Sequence, residues 1–343
     1  MKKYLNTLFV TTQGSYLSKE GETIVVSADR EKLLQVPAIA LGGIVCFGNV
    51  ACSPFLLGFC AESGITVSFL TEYGRFLASV QGKISGNVLL RRKQYRVADT
   101  ETECLAIARA FTIGKIYNCR SVLCRALRDH GDKIDRQAVE AAVNALAHSV
   151  KKAQSCATLD FLRGVEGEAA KLYFSVFNNL ILAQKDAFNF DERNRRPPLD
   201  NVNCLLSFIY TLLMHDVRAA LETVGLDSCV GFMHKDRPGR ASLALDMMEE
   251  WRPVIADRLA LSLINREQLS GNDFTKAETG AVLLSDKGRK TLLTAYQKRK
   301  QEEITHPYLQ ETVETGLLFY IQALLLARHL RGDIDGYPAF LWK

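Results

Sequence analysis

The segment Gly231-Phe232-Met233-His234-Lys235-Asp236-Arg237-Pro238-Gly239-Arg240, continued through Ala241 to Pro253, gathers a histidine, several carboxylates and, close to the histidine, the arginines Arg237 and Arg240 in a short length of chain. Its Pro-Gly turn is expected to open a helix that ends near Arg252, because the residue before a proline avoids the helical region of backbone space. On that helix Leu243, Met247 and Trp251 pack one way, while Asp246, Glu249 and Glu250 lie within one turn of each other on a separate stripe. Three acids so close repel unless a cation joins them or water screens them. A solvated acidic face is the ordinary reading of such a cluster. The nearby His234, Arg237 and Arg240 point instead to half of a divalent-metal site with phosphate-binding groups beside it.

A second carboxylate stands in the segment Arg163 to Phe177. Wound as a helix, it sets Glu166 on one stripe with Ala169, Ala170, Tyr173 and Phe177, and turns Glu168 nearly opposite. An inward carboxylate flanked by Gly164 and Gly167 either holds something cationic or is a solvated acid favoured by the helix dipole at the first turn. Arg193, Arg195 and Arg196 precede Asp200, the expected N-cap of an apolar helix running to about Leu213. They lie in a solvated loop or grip phosphates. His215-Asp216 is a rival pair, comparable with the adjacent His-Asp ligands of HD-type phosphohydrolases, but no other suitably spaced His or Asp accompanies it.

Two kinds of element must position these residues. From Met1 to about Gly86 the chain consists of short β-branched runs punctuated by Gly and Pro: Tyr4 to Thr11, Tyr16-Leu17, Thr23 to Val26, Ile39 to Phe47, Ile65 to Leu70 and Phe76 to Val80. This pattern predicts a small β domain with a hairpin at Ser18 to Gly21, interrupted by one short helix over Pro54 to Ser63 that Gly64 ends. A basic connector across 87–99, containing Arg91-Arg92-Lys93-Gln94-Tyr95-Arg96, leads to a capping-box pattern at Thr100 and Glu103. Apolar residues then recur at helical spacing through Leu105, Ala108 and Phe111, and helices joined by Gly, Pro and Asp turns follow. The expected fold is α+β: a β-rich domain over 1–86, the connector, and a larger all-helical domain over 100–343 carrying the metal site.

A chain of 343 residues suits about two domains. Its 48% hydrophobic and 24% charged residues exclude wholesale disorder and fibrous folds. Nine cysteines without a CxxC pair are expected to be reduced thiols, consistent with the cytoplasm. No export segment is expected, and the runs Cys204 to Met214 and Gly316 to Ala327 fall short of the roughly 20 residues a bilayer span needs, so no membrane partner is expected. Net charge is only +5, yet residues 89–136 alone hold 11 Lys and Arg against 6 Asp and Glu. Lys287, Arg289, Lys290, Lys298, Arg299 and Lys300 form another basic cluster, and Tyr95 and Tyr117, interleaved with the first, stack on bases or pack. Such segregation favours a phosphate-rich partner.

Three ordered motifs then resemble one family. They are Gly164-Val165-Glu166-Gly167 with Ala169-Ala170 and Tyr173-Phe174; Arg195-Arg196-Pro197-Pro198 with Asp200 and Asn203; and Gly231-Phe232-Met233-His234 with Arg237-Pro238-Gly239-Arg240 and Ser242 to Glu250. Along essentially the whole chain the sequence resembles the CRISPR-associated integrase/endonuclease of the spacer-acquisition machinery, in the subtype that accompanies type I-C systems. The resemblance implies metal ligands at Glu166, His234 and Glu249, with Asp246 as an additional catalytic acid, holding Mg²⁺ or Mn²⁺. It implies phosphate contacts from Arg195, Arg196, Arg237 and Arg240. It also implies a homodimer acting on double-stranded DNA, as spacer precursor and repeat, together with a small ferredoxin-like partner and a RecB-like iron-sulfur nuclease. The expected reaction is transesterification by the 3′-hydroxyl of a short duplex. Two other readings remain at this point: a non-catalytic helical DNA-binding scaffold and an HD-type phosphohydrolase.

Overall fold

The computed structural model describes residues 6–72, 76–80 and 88–342; the expected boundary between the β-rich part and the connector, at 86–87, lies outside the described residues. The chain forms two compact units, Met1–Gly86 together with Leu292–Glu302, and Asn87–Thr291 together with Glu303–Lys343.

The first unit holds β1 (Asn6–Val10), β2 (Tyr16–Glu20), β3 (Thr23–Ala28), β4 (Glu31–Pro37), β5 (Leu41–Phe47), β6 (Ala51–Cys52), α1 (Pro54–Ser63), β7 (Thr66–Leu70) and β8 (Phe76–Val80). One sheet has the order β1-β5-β7-β8, parallel except for the last pair; the other has the order β4-β3-β2-β6. Central β5 is nearly all apolar because a parallel interior strand is covered on both faces. Gly21, at positive φ, supplies the tight turn between β2 and β3. Ser53 caps α1 by accepting from the Leu56 amide, and Gly64 in the left-handed region ends it. Leu17, Ile24, Ile44, Leu56, Cys60 and Val67 form the centre of the core. Strands β4 and β6 escape the sequence pattern, the first because Glu31 to Gln35 are exposed and do not alternate, the second because two residues carry no period.

The second unit is helical: α2 (Val88–Asp99), α3 (Glu101–His130), α4 (Arg136–Gln154), α5 (Leu159–Ser175), α6 (Asn201–Val224), α7 (Ser242–Met248), α8 (Arg258–Asn265), the first residues of α9 (Asp286–Gln301), whose remainder from Leu292 belongs to the first unit, and α10 (Leu318–Arg331), with short two-stranded hairpins before and after α9. Helices α3, α4 and α5 pack on one another, and α6 packs on α7 and α10. The expected basic connector is helix α2, anchored by buried Gln94, which clamps the backbone of Asp227 and Val230. The capping box at Thr100 is not made. With α2 and α3 nearly continuous, the Thr100 hydroxyl donates back to the Arg96 carbonyl, and Glu103 pairs with Lys93 instead. Asp200 does cap α6, accepting from the Asn203 amide at 2.7 Å. Helix α6 is long and apolar enough by length and composition to cross a membrane, but most of that stretch is buried within this unit.

Candidate functional site

His234 is displayed by the loop from Gly225 to Ala241, between α6 and α7. Four side chains tie that loop down peptide by peptide. Gln94 donates to the Val230 carbonyl, the Cys104 thiol to the Phe232 carbonyl at 2.9 Å and Arg163 to the Met233 carbonyl at 2.8 Å. Asp246, fully buried on α7, accepts from the amides of Phe232, Met233 and His234 at 2.6–2.9 Å. The same carboxylate lies 2.5 Å from His234 Nδ1. A carboxylate on Nδ1 fixes the ring and its tautomer and leaves Nε2 as the free donor atom, the usual arrangement behind a metal-bound imidazole. Gly231 is required here, since a Cβ would stand 2.7 Å from Asp246 Oδ2.

The second feature is a buried ion-pair cluster. Lys115, on α3, contacts Glu166 Oε1 on α5 and lies 2.7 Å from Glu249 Oε2, just after α7. Arg252 approaches the other oxygen of Glu249 at 2.9 Å. Burial opposes ionisation of Glu249, but Arg252 and Lys115 outweigh it and hold the carboxyl well below its ordinary range. Burial likewise opposes the charge on Lys115, and Glu249 and Glu166 together keep it protonated beyond the ordinary lysine range. His234 is near enough that its charge, when present, also lowers Glu249. Glu166 sits on the stripe with Ala169 and Tyr173, its side chain 20% exposed, while Glu168 faces outward to Lys152.

Helix α7 ends at Met248, short of the expected Arg252, and after a turn at 249–251 the chain passes through a π-helical turn, Arg252–Asp257, into α8. Pro253 sits in the first turn of that segment, where its missing N–H is no loss, and the Ile255 amide bonds to the Trp251 carbonyl. Nor is the acidic stripe a solvated face, the premise of the scaffold reading: Asp246, Glu249 and Glu250 are at most 3% exposed. They diverge to three sets of partners. Asp246 holds the His234 loop, Glu249 the two cations, and Glu250 accepts from Gln322 and from the Phe340 amide. Burial, despite those hydrogen bonds, raises Glu250 to about 8, so near neutrality it is mostly a protonated acid. Behind Arg252, Tyr210 stacks under its guanidinium and donates to buried Asp257.

The predicted arginines separate as well. Arg195, Arg196 and Arg237 are exposed; Arg240 is half-buried and bonds the Lys235 carbonyl and Ser242, pinning the loop. Arg193 turns inward to Asn203 and Ser207. His215 is buried, and burial lowers it to about 4, which leaves it neutral inside α6. Sequence reasoning passed over Lys115, Arg252 and Arg163. The available signal was Lys115 on the apolar stripe of α3 with Ala108, Phe111 and Val122, where a cation is out of place unless acids meet it. Among the described residues no three His, Cys, Asp or Glu side chains are gathered closely enough to hold an ion. Instead the oxygens of Glu166 and Glu249 converge on one cationic group, the ammonium of Lys115, with the Asp246-oriented imidazole nearby. A hard, mostly oxygen donor set of this kind suits Mg²⁺ or Mn²⁺.

The family model of CRISPR associated protein Cas1 matches residues 8–298. The chain is 59% identical to CRISPR-associated endonuclease Cas1 1 of Chlorobaculum tepidum over the full length of both, and 52% identical to CRISPR-associated endonuclease Cas1 2 of Rhodospirillum rubrum, again over all of both chains. A CRISPR-associated exonuclease Cas4/endonuclease Cas1 fusion of Geobacter sulfurreducens is 36% identical across 98% of this chain and 60% of the fusion. The fold matches a Cas1 protein from Thermotoga maritima (TM-score 0.82, 24% identity, 95% of this chain and 97% of that one). It also matches a casposase bound to integration product (0.84, 21%, 98% and 94%) and a chain of a Cas6-RT-Cas1–Cas2 complex (0.83, 24%, 100% and 36%). With the family model spanning most of the sequence and full-length relatives above half identity, the chain belongs to the Cas1 family of CRISPR-associated endonucleases.

Proposed function

We propose that this chain is a divalent-metal-dependent DNA endonuclease and integrase of CRISPR adaptation that joins the 3′-hydroxyl ends of short duplexes to repeat DNA by transesterification. The observation that carries the reading is the convergence of Glu166 and Glu249 on a single cation beside an imidazole whose Nδ1 is taken by Asp246. Glu166, Glu249 and His234 Nε2 would hold Mg²⁺ or Mn²⁺. That ion supplies Lewis-acid polarisation of the scissile phosphate and neutralises charge building on its oxygens. The chain's own part is positional. Asp246 keeps the imidazole in one tautomer, Arg252 keeps Glu249 ionised, and the exposed Arg195, Arg196 and Arg237 are free to meet DNA phosphates, with Arg240 holding the loop that carries the histidine. In the joining step the 3′-hydroxyl gives up its proton and its oxygen bonds to phosphorus as the bond to the departing oxygen breaks and that oxygen takes up a proton, so one diester and one hydroxyl replace another such pair and no oxidant or nucleotide is needed.

The working form we propose is a cytoplasmic homodimer, of the type I-C kind. Its proposed partners are a small ferredoxin-like protein in the place Cas2 takes in the complex named above and a RecB-like iron-sulfur nuclease corresponding to the Cas4 exonuclease of the fusion. The test is strand transfer: purified protein is expected to join a labelled 3′-hydroxyl duplex to supercoiled plasmid with Mn²⁺ and to stop on adding EDTA. Glu166→Ala, His234→Ala and Glu249→Ala are each expected to lower joining by at least about a hundredfold while duplex binding persists. Joining that survives EDTA would sink the mechanism.

A further inference from the structure

We propose that Lys115 is a built-in occupant of the metal pocket: its ammonium holds the position between Glu166 and Glu249 that a divalent ion takes, and metal loading displaces it from both carboxylates. This rests on the metal-site reading above and adds a competitor to it.

Three observations point the same way. First, Lys115 is placed where only its acids justify it. Its side chain is 9% exposed on the buried stripe of α3, and an ammonium removed from water keeps its charge only against matched carboxylates. Second, ammonium and metal need the same lone pairs. Lys115 Nζ contacts Glu166 Oε1 and is 2.7 Å from Glu249 Oε2, and a Mg²⁺ ion would require those oxygens at about 2.0–2.1 Å. Two cations cannot share that point. Third, the local charges already balance. Glu166 and Glu249 face Lys115 and Arg252, while Asp246 is committed to His234 and three backbone amides. A divalent ion added to this set leaves an excess of two positive charges; withdrawal of the ammonium halves that excess, and an arriving phosphodiester supplies one further negative charge. Arg252 cannot be the group that leaves, because it bonds the opposite oxygen of Glu249 and packs over Tyr210.

The lysine therefore neutralises the two carboxylates when no ion is bound and sets the affinity for metal. The test measures Mn²⁺ binding to the full chain by electron paramagnetic resonance, in wild type, Lys115→Met, Glu166→Gln and Glu249→Gln. Lys115→Met is expected to bind Mn²⁺ about tenfold more tightly and to gain more thermal stability from Mn²⁺ than wild type does. A second readout needs no variant: acetylation of Lys115 in wild type by an amine-reactive ester, followed by peptide mass spectrometry, is expected to rise when Mn²⁺ is added. If the glutamine variants weaken Mn²⁺ binding but Lys115→Met does not strengthen it, and labelling of Lys115 ignores the metal, the lysine is not a competitor and the proposal falls alone. If the glutamine variants leave Mn²⁺ affinity unchanged, the metal-site reading falls and takes this one with it.

Discussion

Four hydrogen-bond donors meet on the two oxygens of Asp246: the amides of Phe232, Met233 and His234, and Nδ1 of His234. An asparagine offers one acceptor oxygen and would aim its own N–H groups at donors. Asp246→Asn is therefore expected to destabilise the fold by about 3 kcal/mol, because several buried groups lose their partner at once. It is also expected to weaken Mn²⁺ binding by about 10- to 100-fold, because His234 loses the group that orients it. Urea unfolding and a Mn²⁺ titration check the two effects, and normal affinity in a folded Asp246→Asn protein would remove the orienting role. From residue types alone Asp246, Glu249 and Glu250 are equivalent acids one turn apart. What separates them is which distant element meets each one, and helical periodicity carries no information about that. Lys115 shows the converse: its stripe position was legible, but its partners lie on α5 and beyond α7.

At the scale of elements, the stretch from α7 through the π-helical turn to α8 lies at the centre of the second unit. Proline at 253 reads as a stop, yet it lies in the first turn of the wider helical segment, next to Trp251, which is fully buried against Phe319 and Phe340. Glu250 sits at the same junction and receives the C-terminal segment through the Phe340 amide, while Gln322 of α10 bonds both Glu250 and the Tyr337 hydroxyl. Its carboxyl titrates near 4.5 when unfolded and is raised to about 8 in the fold by burial. Between those values the unfolded chain binds fewer protons than the native one, so stability falls as pH rises and levels off above about 8. Glu250→Gln removes that dependence and mimics the protonated acid. The thermal midpoint of the variant is expected to match wild type near pH 5 and to exceed it by a margin that widens up to about pH 8. A constant difference between the two proteins across that range would show that Glu250 is ionised in the fold.

At the scale of the whole molecule, the division into a β-rich and a helical part was visible in the change from short β-branched runs to helical periodicity, but its closure was not. Composition ends the first unit at about residue 86, whereas the structure adds Leu292–Glu302, the greater part of α9, to the strands at the start of the chain. The reason is physical. An amphipathic helix advertises that it has an apolar face, but not which apolar surface receives it. Leu292, Leu293 and Tyr296 are buried, and Lys300 reaches Thr7 of β1 at 3.1 Å across nearly the full length of the sequence. Three lysines and arginines close to the helix end, Lys298, Arg299 and Lys300, read as one basic cluster, yet Lys300 is buried and Arg299 pairs with Glu302. A fragment covering residues 1–86 alone thus lacks the segment of α9 that belongs to its unit, and a small domain has little stability margin to spare. It is expected to show no cooperative thermal transition by circular dichroism, and to gain one when residues 286–302 are joined to it by a flexible linker. A sharp transition in the 1–86 fragment by itself would mean that the strands and α1 close their core without the late helix.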